Sequence, residues 1–355
     1  MSGTLTIVLI LLVFIIVYQI GKASEYATIL RDEAKVNKQT NRLMAWLLVA
    51  FFILGMWGIW ECHQALKGRL LPPSGSVEGV EYDAMFEATM WVTGIVFLAT
   101  QAVLFWFAYR YQASDKRTSF FFAHNNKLEI IWTTIPAIAM AALVAIGLKY
   151  WFKVTDDAPK GHAVVEIIGK QFNWLIRYPG ADGALGARDF RKIDDANNVL
   201  GLDWADNKTK DDIVAQNGEM HIVVGRPVKL IIGSRDVIHD VGLPHFRMKM
   251  DAVPGISTTL WFTPRYTTKQ MQEMTHDPNF VYEISCDQMC GKGHYSMRGT
   301  IVVETQAEYD KWLAGQKTYY AETHPETSPT APVSPAGSDT TKNATDTTKT
   351  VAANK

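Results

Sequence analysis

The stretch that decides how this chain is read is Cys286-Asp287-Gln288-Met289-Cys290-Gly291-Lys292-Gly293-His294-Tyr295-Ser296-Met297. Its spacing is C-x3-C-x3-H-x2-M, and it holds two of the chain's three cysteines. Two thiols, an imidazole and a thioether within one turn-rich loop are soft donors plus a nitrogen, a set suited to copper with no carboxylate required. The runs on either side, Tyr282 to Ser285 and Gly299 to Glu304, are short and β-branched or aromatic, so the loop sits in a β framework.

Two plainer readings compete. A cysteine pair facing an oxidising compartment commonly forms a disulfide, but that leaves His294 and Met297 without a role. Zinc takes thiolate and imidazole but rarely a thioether. With copper the loop is short of a donor for two metals, and His239, just beyond the run Val228 to Ile232, is the candidate for a second imidazole. A lone histidine at a strand end is more commonly a surface or core residue.

Working upstream, short period-two runs recur at Ala163 to Ile168, Phe172 to Tyr178, Met220 to Val224, Val228 to Ile232 and Thr258 to Phe262. Turns such as Tyr178-Pro179-Gly180 and Val253-Pro254-Gly255 punctuate them. Many short strands without helical period predict an antiparallel sandwich over 161–305. Residues 180–214, rich in Gly, Asp and Asn, read as an exposed insertion between strands. A short helix is expected over 306–317, and 318–355, with little apolar to bury, reads as a disordered tail. No C-x-x-C-H is present for an attached c-type haem.

The first ~150 residues differ in kind, being dominated by long apolar runs of the length a bilayer requires. Over 355 residues with net charge −1, the chain carries no basic footprint for nucleic acid. Four runs, Leu5 to Ile20, Leu43 to Trp60, Ala88 to Tyr109 and Ile130 to Phe152, predict four transmembrane helices. The first lacks the basic n-region of a secretory signal and reads as an uncleaved anchor. Loops 22–42 and 110–128 carry most of the basic residues, whereas loop 61–85 has only Lys67 and Arg69. The positive-inside rule therefore puts the first and third loops in the cytoplasm and everything after Phe152 outside.

Val228-x5-Ser234-x-Asp236-Val237-Ile238-His239, then Lys249-x-Asp251-Ala252-Val253-Pro254-Gly255, then the Cys286–Met297 loop together closely resemble subunit II of the haem-copper cytochrome c oxidases. Leu128-Glu129-Ile130-Ile131-Trp132-Thr133-Thr134-Ile135-Pro136 resembles the start of that subunit's second core helix, and the likeness spans roughly 86–313. It implies a membrane helical anchor, its core hairpin at 86–153 preceded by two extra helices in 1–62, and a cupredoxin-like Greek-key domain with a binuclear CuA centre. His239 and His294 would supply imidazoles, Cys286 and Cys290 bridging thiolates, Met297 a weak axial sulfur, and Gln288 its backbone carbonyl.

The resemblance further implies two copper ions that accept electrons from a c-type cytochrome and pass them to haem in subunit I. There oxygen would be reduced to water with proton pumping, in a bacterial inner membrane with the copper domain on the periplasmic side. Glu129 matches an acid at the mouth of a proton path; its plainer role is a helix N-terminal charge. Phe172 and Trp174 fall in the aromatic segment where electrons come in. The chain departs from the family pattern at Phe172, usually Trp, at Arg177, where a docking acid is usual, and at Gln288, where a Glu helps hold magnesium. The first two departures point to a donor cytochrome attached to the membrane or held in a supercomplex; the third bears on the magnesium ion.

Among related classes, a copper carrier needs neither Met297 nor several helices. A quinol oxidase subunit lacks the copper ligands, and nitrous oxide reductase has a second large domain for which this chain has no room.

Overall fold

The computed structural model describes residues 3–30, 33–113 and 116–325, with the side chains of 3–10, 28–30, 33–36 and 68 outside that description. The described residues fall into two compact units, one within 3–70 and 84–146 and the other within 71–83 and 147–325.

The first unit is helical. Helices α1 (Gly3–Leu30), α2 (Glu33–Leu66), α3 (Val77–Arg110) and α4 (Asn126–Thr155) contain the four apolar runs. Among the described residues three of these helices, not four, are long and apolar enough to cross a membrane: those over Asn37–Leu66, Val77–Arg110 and Asn126–Thr155. The run Leu5 to Ile20 is helical within α1, but the side chains of its first six residues, Leu5 to Ile10, lie outside the described residues. The apolar side chains of these spans face outward, Phe51 at 69% and Trp91 at 67% exposure, as lipid-facing helices require.

The second unit is a two-layer β-sandwich. Its strands are β1 (Ala163–Lys170), β2 (Asn173–Tyr178), β3 (Ile213–Ala215), β4 (Glu219–Val223), β5 (Val228–Ser234), β6 (His239–Leu243), β7 (Met248–Ala252), β8 (Thr258–Phe262), β9 (Tyr282–Cys286) and β10 (Arg298–Glu304). One sheet runs β3-β2-β1-β5-β8, the other β4-β10-β9-β6-β7. Two strand pairs are parallel, Ala163 opposite Val228 and Thr300 opposite Glu219, which corrects the expectation of a purely antiparallel sandwich. Parallel neighbours need a long crossover, and local alternation carries no information about which distant strand will pair.

Val165, Ile167, Trp174 and Leu230 from one sheet, Val241, Ile284 and Ile301 from the other, and Met297 from the loop before β10 fill the core. Three short helices flank the strands: α5 (Thr268–Thr275), α6 (Gln306–Ala314) and α7 (Tyr319–Thr323). Helix α6 opens on a capping box between Thr305 and Glu308, the arrangement that satisfies two orphan N–H groups. Its Trp312 stacks on His221 at 4.1 Å.

Residues 180–214 are packed rather than simply exposed. Val199, Leu200 and Leu202 form a second cluster with Ile168 of β1 and Leu175 of β2. The expected tail begins with structure: Tyr319 of α7 is 2% exposed within this cluster and accepts a hydrogen bond from Val199 N–H at 3.1 Å. The rest of the expected disordered segment, from residue 326, lies outside the described residues. With the insertion over one face and the core on the other, β1 is buried on both sides, which is why its sequence is a near-continuous apolar run.

Candidate metal centre

Two segments bring the donors to one end of the sandwich, the start of β6 and the end of β9 with the loop that follows it. His239 opens β6 and Cys286 closes β9, and the pairing of Val241 with Cys286 holds those two strands in register. Cys286 Sγ lies 3.7 Å from Cys290 Sγ, far beyond the ~2.05 Å of a disulfide. His239 Nδ1 lies 3.8 Å from Cys286 Sγ, and His294 Nδ1 lies 3.8 Å from Cys290 Sγ. Met297 Sδ is 3.9 Å from Cys290 Sγ, and the Gln288 carbonyl oxygen is 3.2 Å from Cys286 Sγ.

All six expected metal-site positions therefore converge. His239, Cys286 and Cys290 are buried and keep their ligand atoms within 4.8 Å of one another. Met297 is fully buried and His294 half-buried. Met289, the other thioether in the loop, is 77% exposed and turned away. The Cys290 thiol is pushed up to about 11 by burial and by the facing Cys286 sulfur. The Cys290 thiol therefore resists ionising, and a bound cation is what stabilises such a group as a thiolate. The soft, buried, nitrogen-and-sulfur donor set fits copper.

A second tier of residues holds the ligands. Asp236 Oδ1 sits 2.8 Å from His239 Nε2, leaving Nδ1 turned toward the sulfurs. Burial would raise the Asp236 carboxyl, but the N–H of Gln171, the His239 ring and the N–H of Val237 outweigh it and hold it below the ordinary range. Gln171 N–H donates to Asp236 at 2.7 Å, and Gln171 Nε2 donates to the Cys290 carbonyl at 2.6 Å. Close approach explains two glycines: a Cβ on Gly169 would meet the His239 ring at 2.6 Å, and one on Gly293 would meet the Phe172 ring at 2.4 Å. Sequence reasoning assigned no role to Asp236, Gln171, Gly169 or Gly293. A carboxylate three residues before a ligand histidine was the available signal for the first.

The remaining predicted residues are placed as follows. Phe172 is 39% exposed and lies against the metal loop at Gly291 and Gly293. Trp174 is fully buried, edge-on to the His239 ring at 6.0 Å, so of the two aromatics only Phe172 reaches the surface. Glu129 is exposed in the first turn of α4, where its carboxylate accepts from Asn125 N–H at 3.4 Å.

Arg177 corrects an expectation. At 1% exposure it pairs with Glu166 at 3.0 Å and with Asp212, and donates to the Gly186 carbonyl at 2.6 Å. It is a buried hub beneath the insertion and presents no charge to a docking partner.

A two-sheet cupredoxin-like domain with a copper-type donor set, carried on a chain with helices long and apolar enough to span a membrane, defines a membrane-anchored cupredoxin-like class of protein. Residues 64–150 match the family described as cytochrome C oxidase subunit II, transmembrane domain, and residues 163–306 its periplasmic domain. An alternative cytochrome c oxidase subunit 2 of Bradyrhizobium diazoefficiens is 35% identical over 237 residues, 67% of this chain and 80% of that protein. The cytochrome c oxidase subunit 2 of Thermostichus vulcanus is 26% identical over 289 residues, 75% and 84% of the two chains. The crystal structure of the periplasmic domain of subunit II of the Bradyrhizobium japonicum cytochrome oxidase is 26% identical, covering 43% of this chain and 92% of that one, with a TM-score of 0.29. The chain belongs to the cytochrome c oxidase subunit II family.

Proposed function

We propose that this subunit accepts electrons, one at a time, from a c-type cytochrome at a two-copper centre and delivers them to haem in the oxidase's subunit I. The observation that carries the proposal is the convergence of His239, Cys286, Gln288, Cys290, His294 and Met297 at one end of the sandwich. Copper, when bound, supplies a one-electron redox couple. Cys286, Cys290, His239, His294, Met297 and the Gln288 carbonyl would hold the copper. The residues of the chain limit rearrangement: Asp236 orients His239, Gln171 ties down the Cys290 carbonyl, and the pairing of β6 with β9 within one sheet fixes the spacing between His239 and Cys286.

Phe172 covers the loop from the solvent side and is the surface group nearest to an incoming donor, with Trp174 behind it against His239. With Arg177 buried, Phe172 alone supports a donor cytochrome that is membrane-attached or held in a supercomplex rather than a soluble basic one. In this reading α1 is a fourth span, the copper domain faces the periplasm of a bacterial inner membrane, and Glu129 marks the mouth of a proton path into subunit I. Magnesium at the subunit I boundary would have to do without a carboxylate at position 288.

Copper analysis tests the reading. The wild type should bind two coppers per chain; Cys290→Ser should lose copper-dependent activity and the near-infrared copper band while the complex still assembles. Met297→Leu should keep both coppers but shift the redox potential. A single copper per wild-type chain would instead indicate a copper carrier.

A further inference from the structure

The family match begins at residue 64, so α2, ending at Leu66, is an addition to the core hairpin. It meets α3 through aromatic side chains. Trp46 lies edge-on to Tyr109 with ring centroids 5.0 Å apart, and Phe52 lies 5.2 Å from Phe105. Between these contacts is a cavity of about 310 Å³ lined by Trp46, Phe52, Ala102, Phe105, Trp106 and Tyr109, with Val49 completing the wall. No charged residue lines it. Trp46 and Trp106 are 54% and 58% exposed, so the cavity is a groove open to whatever surrounds the helices.

The groove sits at one end of the two helices and has a charged mouth. Arg42 is four residues before Trp46, and Arg110 is four residues after Trp106, so each guanidinium lies on the same helix face one turn nearer the same membrane surface. Both arginines are exposed. Arg117 donates to the Arg110 carbonyl at 2.7 Å, which brings a third guanidinium to the end of α3. Loop charge places this end at the cytoplasmic leaflet, where anionic lipids concentrate and where Trp and Tyr sit at headgroup level.

An apolar, aromatic-walled slot of two helical turns with guanidinium groups at its mouth matches an amphiphile with an anionic head. The slot is too short for the long apolar face of a second helix, and its walls contain no charged group to hold a polar ring inside. We propose that the α2–α3 groove binds one anionic phospholipid, its acyl chain among the aromatic rings and Ala102, and its phosphate at Arg42 and Arg110. Basic sites between transmembrane helices recognise such headgroups. The inference depends on the membrane helices and not on the copper centre.

Native mass spectrometry of the delipidated, intact oxidase complex tests it, with phosphatidylglycerol and phosphatidylcholine of identical acyl chains as probes. One phosphatidylglycerol per chain should be retained, with a preference of at least about tenfold over phosphatidylcholine. Arg42→Gln combined with Arg110→Gln should bring the two lipids to parity, and Ala102→Phe should abolish retention of both by filling the slot. The copper absorbance should be unchanged in each variant. Equal retention in the wild type, binding undisturbed by Ala102→Phe, displacement by an uncharged quinone, or no lipid because another subunit fills the groove would each overturn the proposal.

Discussion

His239 is positioned by three neighbours with separable effects: Asp236 on Nε2, the Gly169 backbone against the ring, and Trp174 edge-on behind it. If the carboxylate sets the orientation, Asp236→Asn should weaken copper binding about 10- to 100-fold, read by competition with a chelator of known affinity. An unchanged affinity would assign the orientation to packing alone. Asp212 offers a pH test. Burial raises its carboxyl to about 6 against the pull of Arg177. The folded state thus holds this proton more tightly than the unfolded one. Its contribution to stability is complete below about pH 4 and is lost as the pH rises through about 6. The excess of the wild-type Tm over that of Asp212→Asn should therefore shrink between about pH 5 and 7. An excess that is flat or grows would show that Arg177 dominates. Arg177 also shows the reach of a linear motif: its position aligned with a docking patch, and only the covering insertion reveals that it never meets a partner.

At the scale of elements, the insertion 180–214 and helix α7 act together. Arg177, Glu166 and Asp212 seal its polar contact with the sheet, while Val199, Leu200 and Leu202 close on Tyr319. Tyr319→Ala removes the ring and leaves Val199 N–H without its acceptor. The expected cost is about 3–5 kcal/mol, as for large aromatic truncations. Faster proteolysis between residues 180 and 212 with an unaltered copper spectrum is the outcome to look for; loss of copper would mean that the insertion supports the metal end as well. This pairing was not legible in the sequence. Tyr319 opens a Thr- and Pro-rich segment, and what buries it lies more than a hundred residues away. Seven of the ten strands, all but β3, β6 and β7, were legible because their signal, period-two alternation, is local.

For the whole molecule, the arrangement of helices across the membrane is the main prediction. Cys62 is exposed near the end of α2. Charge asymmetry in the loops puts that end outside, so a membrane-impermeant maleimide applied to the periplasmic side should label Cys62. Cysteine introduced by Arg117→Cys, in a variant lacking Cys62, should stay unlabelled until the membrane is permeabilised. The reverse pattern would invert the topology and move the proposed lipid groove to the other leaflet.

The amino-acid sequence by itself determined the division into membrane and β regions, the positions of seven of the ten strands, and the C-x3-C-x3-H-x2-M set of candidate soft donors. Each of these rests on composition, short-period patterning or residue chemistry, which are properties of a few neighbouring positions. Tertiary structure alone decided that two strand pairs are parallel, that Trp174 is buried behind His239 while Phe172 stays at the surface, and that Arg177 is internal. It also decided which aromatic rings of α2 and α3 face one another across a groove. Those outcomes depend on which distant segments become neighbours, and burial and pairing of that kind have no local code.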